Sequence, residues 1–124
     1  MLKVNIKSTN LVLTSGLKKF IRTKIKTLEK FFDNIQVEAR VEIGKPSLHH
    51  QKGNVFYAEC QINLSKKVLR ATSQGENLKT AILEVREELE RQIKRYKEER
   101  KTKMEKGGRK LKEDLKASEI TKKS

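Results

Sequence analysis

"IQVEARVEIG", residues 35–44, sets Ile35, Val37, Ala39, Val41 and Ile43 against Gln36, Glu38, Arg40 and Glu42. Period two puts each set on its own side of a strand, so the segment predicts a sheet with one apolar and one charged face. The apolar face needs a cover. Upstream, Leu17, Phe20, Ile21, Ile25, Leu28 and Phe32 recur at helical spacing and predict an amphipathic helix running to residue 32. Thr14 or Ser15 can cap its start with a hydroxyl, and Asp33-Asn34 ends it. Earlier still, "LKVNIKS" (2–8) alternates Leu2, Val4 and Ile6 with lysines and asparagine, which predicts a first strand.

Downstream, "KPSLHHQKGN" (45–54) holds the only proline and reads as a loop. "VFYAECQINL" (55–64) points Phe56, Ala58, Cys60, Ile62 and Leu64 inward, and "VLRATSQ" (68–74) points Leu69 and Ala71 inward. The short connections between the last three strands suit an antiparallel meander. A long helix follows over roughly 77–100, its apolar stripe formed by Leu78, Ala81, Ile82, Val85, Leu89, Ile93 and Tyr96. The order is β-α-β-β-β-α. It predicts an α+β fold with both helices packed on one face of a four-stranded sheet, as in a double-stranded-RNA-binding domain. The expected organisation is a domain over 1–100 and a basic, flexible tail over 101–124.

The charge asks for a partner. The chain of 124 residues carries a formal net charge of +14, and both the predicted domain and the tail are basic. Such an excess repels itself, and a polyanion relieves it. On the first helix Lys18, Arg22, Lys26 and Lys30 are spaced by four. Each step drifts only about 40°, so they form one stripe, with Lys19 inside its arc and Lys24 nearer the apolar boundary. On the second helix Lys79, Arg86 and Lys97 fall close to one line and Lys94 lies beside it. Arg91 and Arg95 sit toward an acidic flank, within reach of Glu88 or Glu87. Glu38, Glu42 and Glu59 occupy the other sheet face, where they offset neighbouring Lys and Arg.

Catalytic and metal chemistry find no support in the pattern. His49 and His50 are adjacent in a loop without a further ligand at metal spacing. Cys60, the single cysteine, falls on an inward strand position and reads as a small buried hydrophobe. No phosphate-cradling glycine loop, secretion signal or membrane-length apolar run is present. No enzyme activity, cofactor, metal or small-molecule substrate is expected, and the protein is expected to be cytoplasmic.

Three stretches carry a family resemblance: "LEKFFD" (28–33), "TAI" (80–82) and "LERQIKRYK" (89–97), within "GLKKFIRTKIKTLEKFFDN" and "ATSQGENLKTAILEVREELERQIKRYK". With this order of elements, the chain resembles the short form of the ribosome hibernation-promoting factors, also called ribosome-associated inhibitor proteins, over roughly residues 1–100. The resemblance implies a protein that binds 16S ribosomal RNA in the small-subunit channel between head and body. There it would cover the positions of messenger RNA and of A- and P-site transfer RNA, and inhibit translation in stationary phase or stress. It implies a ribosome-associated protein that is a monomer off the ribosome. By position Lys18, Lys24, Arg91 and Lys97 match the family's basic helix residues; the charge stripes add Arg22, Lys26, Lys30, Lys79, Arg86, Lys94 and Arg95 as candidate RNA contacts. The chain departs from the family pattern at Leu83, where Asp is common, and at Lys79, where an aromatic is common. Two other readings of the same residues are a general double-stranded RNA binder and a basic amphipathic module for a membrane surface or an acidic protein. The last requires Leu17, Phe20, Ile25 and Phe32 to be exposed.

Overall fold

The structure is a computed structural model that describes residues 1–33, 35–45 and 55–114, with side chains as far as Lys101. It divides into two compact units, Met1–Arg91 and Gln92–Ser124. The first holds strands β1 (Leu2–Thr9), β2 (Val37–Gly44), β3 (Phe56–Asn63) and β4 (Val68–Gly75), and helix α1 (Ser15–Lys26). Helix α2 (Leu78–Asp114) begins in the first unit and continues through the described part of the second.

The sheet order is β1-β2-β3-β4. β1 and β2 pair in parallel, Val4 opposite Ala39, whereas β2–β3 and β3–β4 are antiparallel. A parallel pair requires a crossover, and α1 supplies it. Register brings Val4, Ala39, Ile62 and Leu69 across the sheet on one face, and all four are buried. Ile21, Ile25 and Leu28, together with Leu78, Ala81, Ile82, Val85 and Leu89, are buried as well. Thus the predicted α+β fold is the observed one, with the helical stripes and the inward strand residues making one core.

Thr14 is the N-cap of α1: its hydroxyl accepts from the Leu17 amide at 3.1 Å. Asn77 does the same for α2, its Oδ1 accepting from the Thr80 amide at 3.1 Å. The expected run of the first helix to residue 32 is corrected, because α1 ends at Lys26 and tightens into a 3-10 turn over Thr27–Phe31. There the Thr27 amide is shared between the Ile25 and Lys24 carbonyls, and the Thr27 hydroxyl donates to Lys24 O. Leu28 and Phe32 still reach the core, so the apolar pattern survives the change of helix type. Asp33, with φ 46°, then turns the chain, a conformation that Asp tolerates better than most residues.

Ile35 also departs from expectation. It precedes β2 and is 56% exposed. Its amide donates to Phe32 O at 2.9 Å and its carbonyl accepts from the Met1 ammonium at 2.9 Å, so its backbone belongs to the turn. Phe56, at the start of β3, and Leu64, just beyond its end, are only half-buried. α2 continues past its apolar stripe to Asp114 rather than ending near 100.

Candidate nucleic-acid interface

The two sides of the first unit differ in charge. On the open face of the sheet, Lys3, Lys7, Arg40 and Arg70 stand among Glu38, Glu42 and Glu59. Those carboxylates are engaged. Glu38 accepts from Asn5 at 2.7 Å and from Arg40 at 3.3 Å, and Glu59 pairs with Arg70 at 2.9 Å. Glu42 accepts from the Tyr57 hydroxyl at 3.0 Å and from Thr9 at 3.2 Å. Burial raises the Tyr57 hydroxyl above its usual pKa; Thr9 opposes this and Glu42 reinforces it.

α1 and the 3-10 turn contrast with this balance. They hold Lys18, Lys19, Arg22, Lys24, Lys26 and Lys30 against one carboxylate, Glu29. Glu29 is itself turned to the chain start, accepting from the Leu2 amide at 2.6 Å. Lys18, Lys19, Arg22 and Lys26 are exposed and form no ion pair among the described residues. Four like charges at such spacing destabilise a helix by a few tenths of a kcal/mol per pair, roughly, so folding alone does not account for them.

The remaining predicted residues fall in several environments. Lys24 is half-buried, its ammonium 5.7 Å from the centre of the Phe20 ring, and Lys79 reaches the same ring from α2 at 5.3 Å. α1 and the start of α2 therefore bring two cations to one aromatic. Lys30 leaves the line of the stripe, since a 3-10 turn advances about 120° per residue. Its ammonium lies 5.3 Å from the Phe31 ring, and with Lys26 it lines an open recess that also includes Glu29 and Asp33. Arg91 is exposed and bonded to Glu88 at 2.8 and 3.1 Å, the pairing expected for the acidic flank. Arg86 is mostly buried and bonded to Thr27, Glu87 and Glu90. In the second unit Lys94, Arg95 and Lys97 are exposed on α2.

Other functional classes have less support. Ile25 and Phe32 are buried, and Leu17 and Phe20 are half-buried, so the apolar face that a membrane-surface helix would insert is occupied. No described helix is long and apolar enough to cross a membrane. Among the described residues no cluster of three His, Cys, Asp or Glu side chains could hold a metal; His49 and His50 lie outside them.

Cys60 is fully buried, and burial pushes its thiol pKa up to about 12, with Glu59 adding to the shift. Folding therefore keeps this thiol protonated. Its contribution to stability is present below about pH 9 and is lost as the pH rises toward 12. The native protein is expected to react with a thiol reagent at pH 8 at least about 100-fold more slowly than the unfolded chain, because only the thiolate attacks. Equal labelling rates in the presence and absence of denaturant would show that Cys60 is accessible.

Comparisons with known proteins bear on the family and the fold. Residues 4–101 match the model of the family described as Sigma 54 modulation protein / S30EA ribosomal protein. The chain is 32% identical over 100 residues to a ribosome hibernation promotion factor of Lactococcus lactis subsp. cremoris, a match covering 78% of this chain and 50% of that protein. It is 30% identical over 98 residues to the protein of the same name in Staphylococcus aureus, covering 78% and 49%. The chain thus spans about half the length of the curated relatives it matches. The crystal structure of the Protein Y N-terminal domain from Thermus thermophilus superposes with a TM-score of 0.66 at 24% identity, over 77% of this chain and 99% of that one, and shows the common fold. The chain belongs to the Sigma 54 modulation protein / S30EA ribosomal protein family, that of the ribosome hibernation promotion factors it resembles.

Proposed function

We propose that this protein is a ribosome hibernation factor and not an enzyme. It binds 16S ribosomal RNA in the channel between head and body of the small subunit. Bound there, it covers the positions of messenger RNA and of A- and P-site transfer RNA, and it inhibits translation in stationary phase or stress. In this reading it is cytoplasmic, ribosome-associated and a monomer off the ribosome, with residues 101–124 as a basic segment beyond the ribosome-binding domain. The observation that carries the proposal is the charge contrast within the first unit: six cations against one carboxylate on α1 and its 3-10 turn, beside a sheet face close to balance. The names of the two relatives support the ribosomal partner.

Lys18, Arg22, Lys24, Lys26, Lys30, Lys79 and Arg91 are the proposed phosphate contacts of the first unit, and Lys94, Arg95 and Lys97 those of the second. Phosphate contacts supply affinity without reading sequence, whereas the shape of a folded RNA supplies selectivity. Co-sedimentation tests the reading. The protein is expected to pellet with small subunits, to release as salt rises, and to resist competition by an A-form RNA duplex at equal nucleotide concentration. Equal competition by the duplex would instead identify a general double-stranded RNA binder. Pelleting with anionic vesicles but not with subunits would point to a membrane-surface module.

A further inference from the structure

Arg86 is placed differently from the other cations. Its side chain is only 13% exposed, against 62% for Arg91 five residues further on. Nε donates to the Thr27 hydroxyl at 2.7 Å, and Nη1 donates to Glu87 at 3.2 Å and to Glu90. The Thr27 hydroxyl in turn donates to the Lys24 carbonyl. A continuous chain of hydrogen bonds therefore runs from α2 through Arg86 and Thr27 into the last turn of α1, where the α-helix becomes a 3-10 turn. Two carboxylates meet the one guanidinium, so little positive charge is left for a phosphate.

We infer that Arg86 is a positioning residue: it anchors the joint between α1 and the 3-10 turn to α2, and so sets how the cations of α1 and of the first turns of α2 are presented together. The inference rests on the ribosomal RNA reading above for its consequence, but its structural half stands on the free protein. An arginine suits the task because its planar fork donates in two directions at once. Lysine is a point charge on a flexible stem and cannot hold Thr27 and Glu90 in one fixed geometry.

Two measurements on the full chain test this. In the free protein, amide hydrogen exchange over residues 27–31 is expected to accelerate roughly 3- to 10-fold in both Arg86→Gln and Thr27→Val, because each breaks the Arg86–Thr27 hydrogen bond. Ser73→Ala removes a different tie of α2, the bond from the Ser73 hydroxyl to Glu84 on the β4 side, and should leave those amides unchanged relative to the rest of the chain. In small-subunit binding, Arg86→Lys, Arg86→Gln and Thr27→Val should each weaken affinity by roughly 3- to 10-fold with an unchanged salt slope. The Thr27→Val/Arg86→Gln double variant should be no weaker than the worse single one, since both break one connection.

The inference is overturned if Arg86→Lys binds like the wild type while Arg86→Gln lowers the salt slope by about 1, the signature of a direct phosphate contact. It is also overturned if the exchange over residues 27–31 does not respond to Arg86→Gln. A wild-type protein that fails to bind subunits would instead sink the ribosomal reading, and the exchange data alone would then decide the anchoring role.

Discussion

Reversing Lys18, Arg22 and Lys26 to glutamate together is expected to weaken small-subunit binding by at least about 100-fold at roughly 0.15 M salt. The three side chains are exposed, lie on one side of α1 and have no carboxylate partner among the described residues. The affinity they give should therefore be almost wholly Coulombic. If each meets one phosphate, the slope of log affinity against log salt should fall by about 3. Folding should hardly change, because none of the three contributes to the core and changes in exposed helix charge pairs are worth only a few tenths of a kcal/mol each, roughly. Thermal unfolding followed by circular dichroism checks that, and sedimentation across a salt series measures the affinity. A triple variant that binds as tightly as the wild type would remove α1 from the interface.

The second large effect is on stability. Gly44→Ala is expected to cost about 3 kcal/mol and to lower the thermal midpoint by on the order of 10–20 °C. Gly44 ends β2 opposite Thr9 of β1. A Cβ at this position would lie 2.2 Å from the Thr9 carbonyl oxygen and 3.1 Å from the Tyr57 hydroxyl. The first neighbour is backbone, so no rotamer change relieves the clash, and the strands must separate where Lys45 donates to the same Thr9 carbonyl at 3.1 Å. Ribosomal RNA affinity, corrected for the folded fraction, should stay near that of the wild type. A midpoint shifted by less than about 2 °C would mean that this end of the sheet yields at little cost.

Much of this molecule is legible in one dimension. The alternation of Val37, Ala39, Val41 and Ile43 predicts a strand with one buried face, and all four residues are buried. The helical spacing of Ile21, Ile25, Leu28 and Phe32 predicts a buried stripe, and it too is buried. Where the reading missed, the pattern itself was silent or ambiguous. Ile35 continues the alternation of β2 by one step, but its backbone groups are taken by Phe32 and Met1, so the strand cannot start there. Leu28 and Phe32 suit either an α-helix or a 3-10 turn, and the hydrogen bonds of Thr27 select the tighter form.

The candidate site divides along the same line. Its excess of lysine and arginine, and the scarcity of carboxylates on α1, depend only on residue type and spacing. They are properties of the sequence, as are the two amphipathic helices and the four strands that bury one face. The parallel pairing of β1 with β2, the meeting of Lys24 and Lys79 on Phe20, and the removal of Arg86 from the exposed set are properties of the tertiary structure. Thr27 and Arg86 lie 59 residues apart in the chain. Periodicity records how much water a side chain sees; it does not record which distant groups share its new surroundings. A cation in solvent keeps its charge available to a polyanion, and a cation fixed between a hydroxyl and two carboxylates does not.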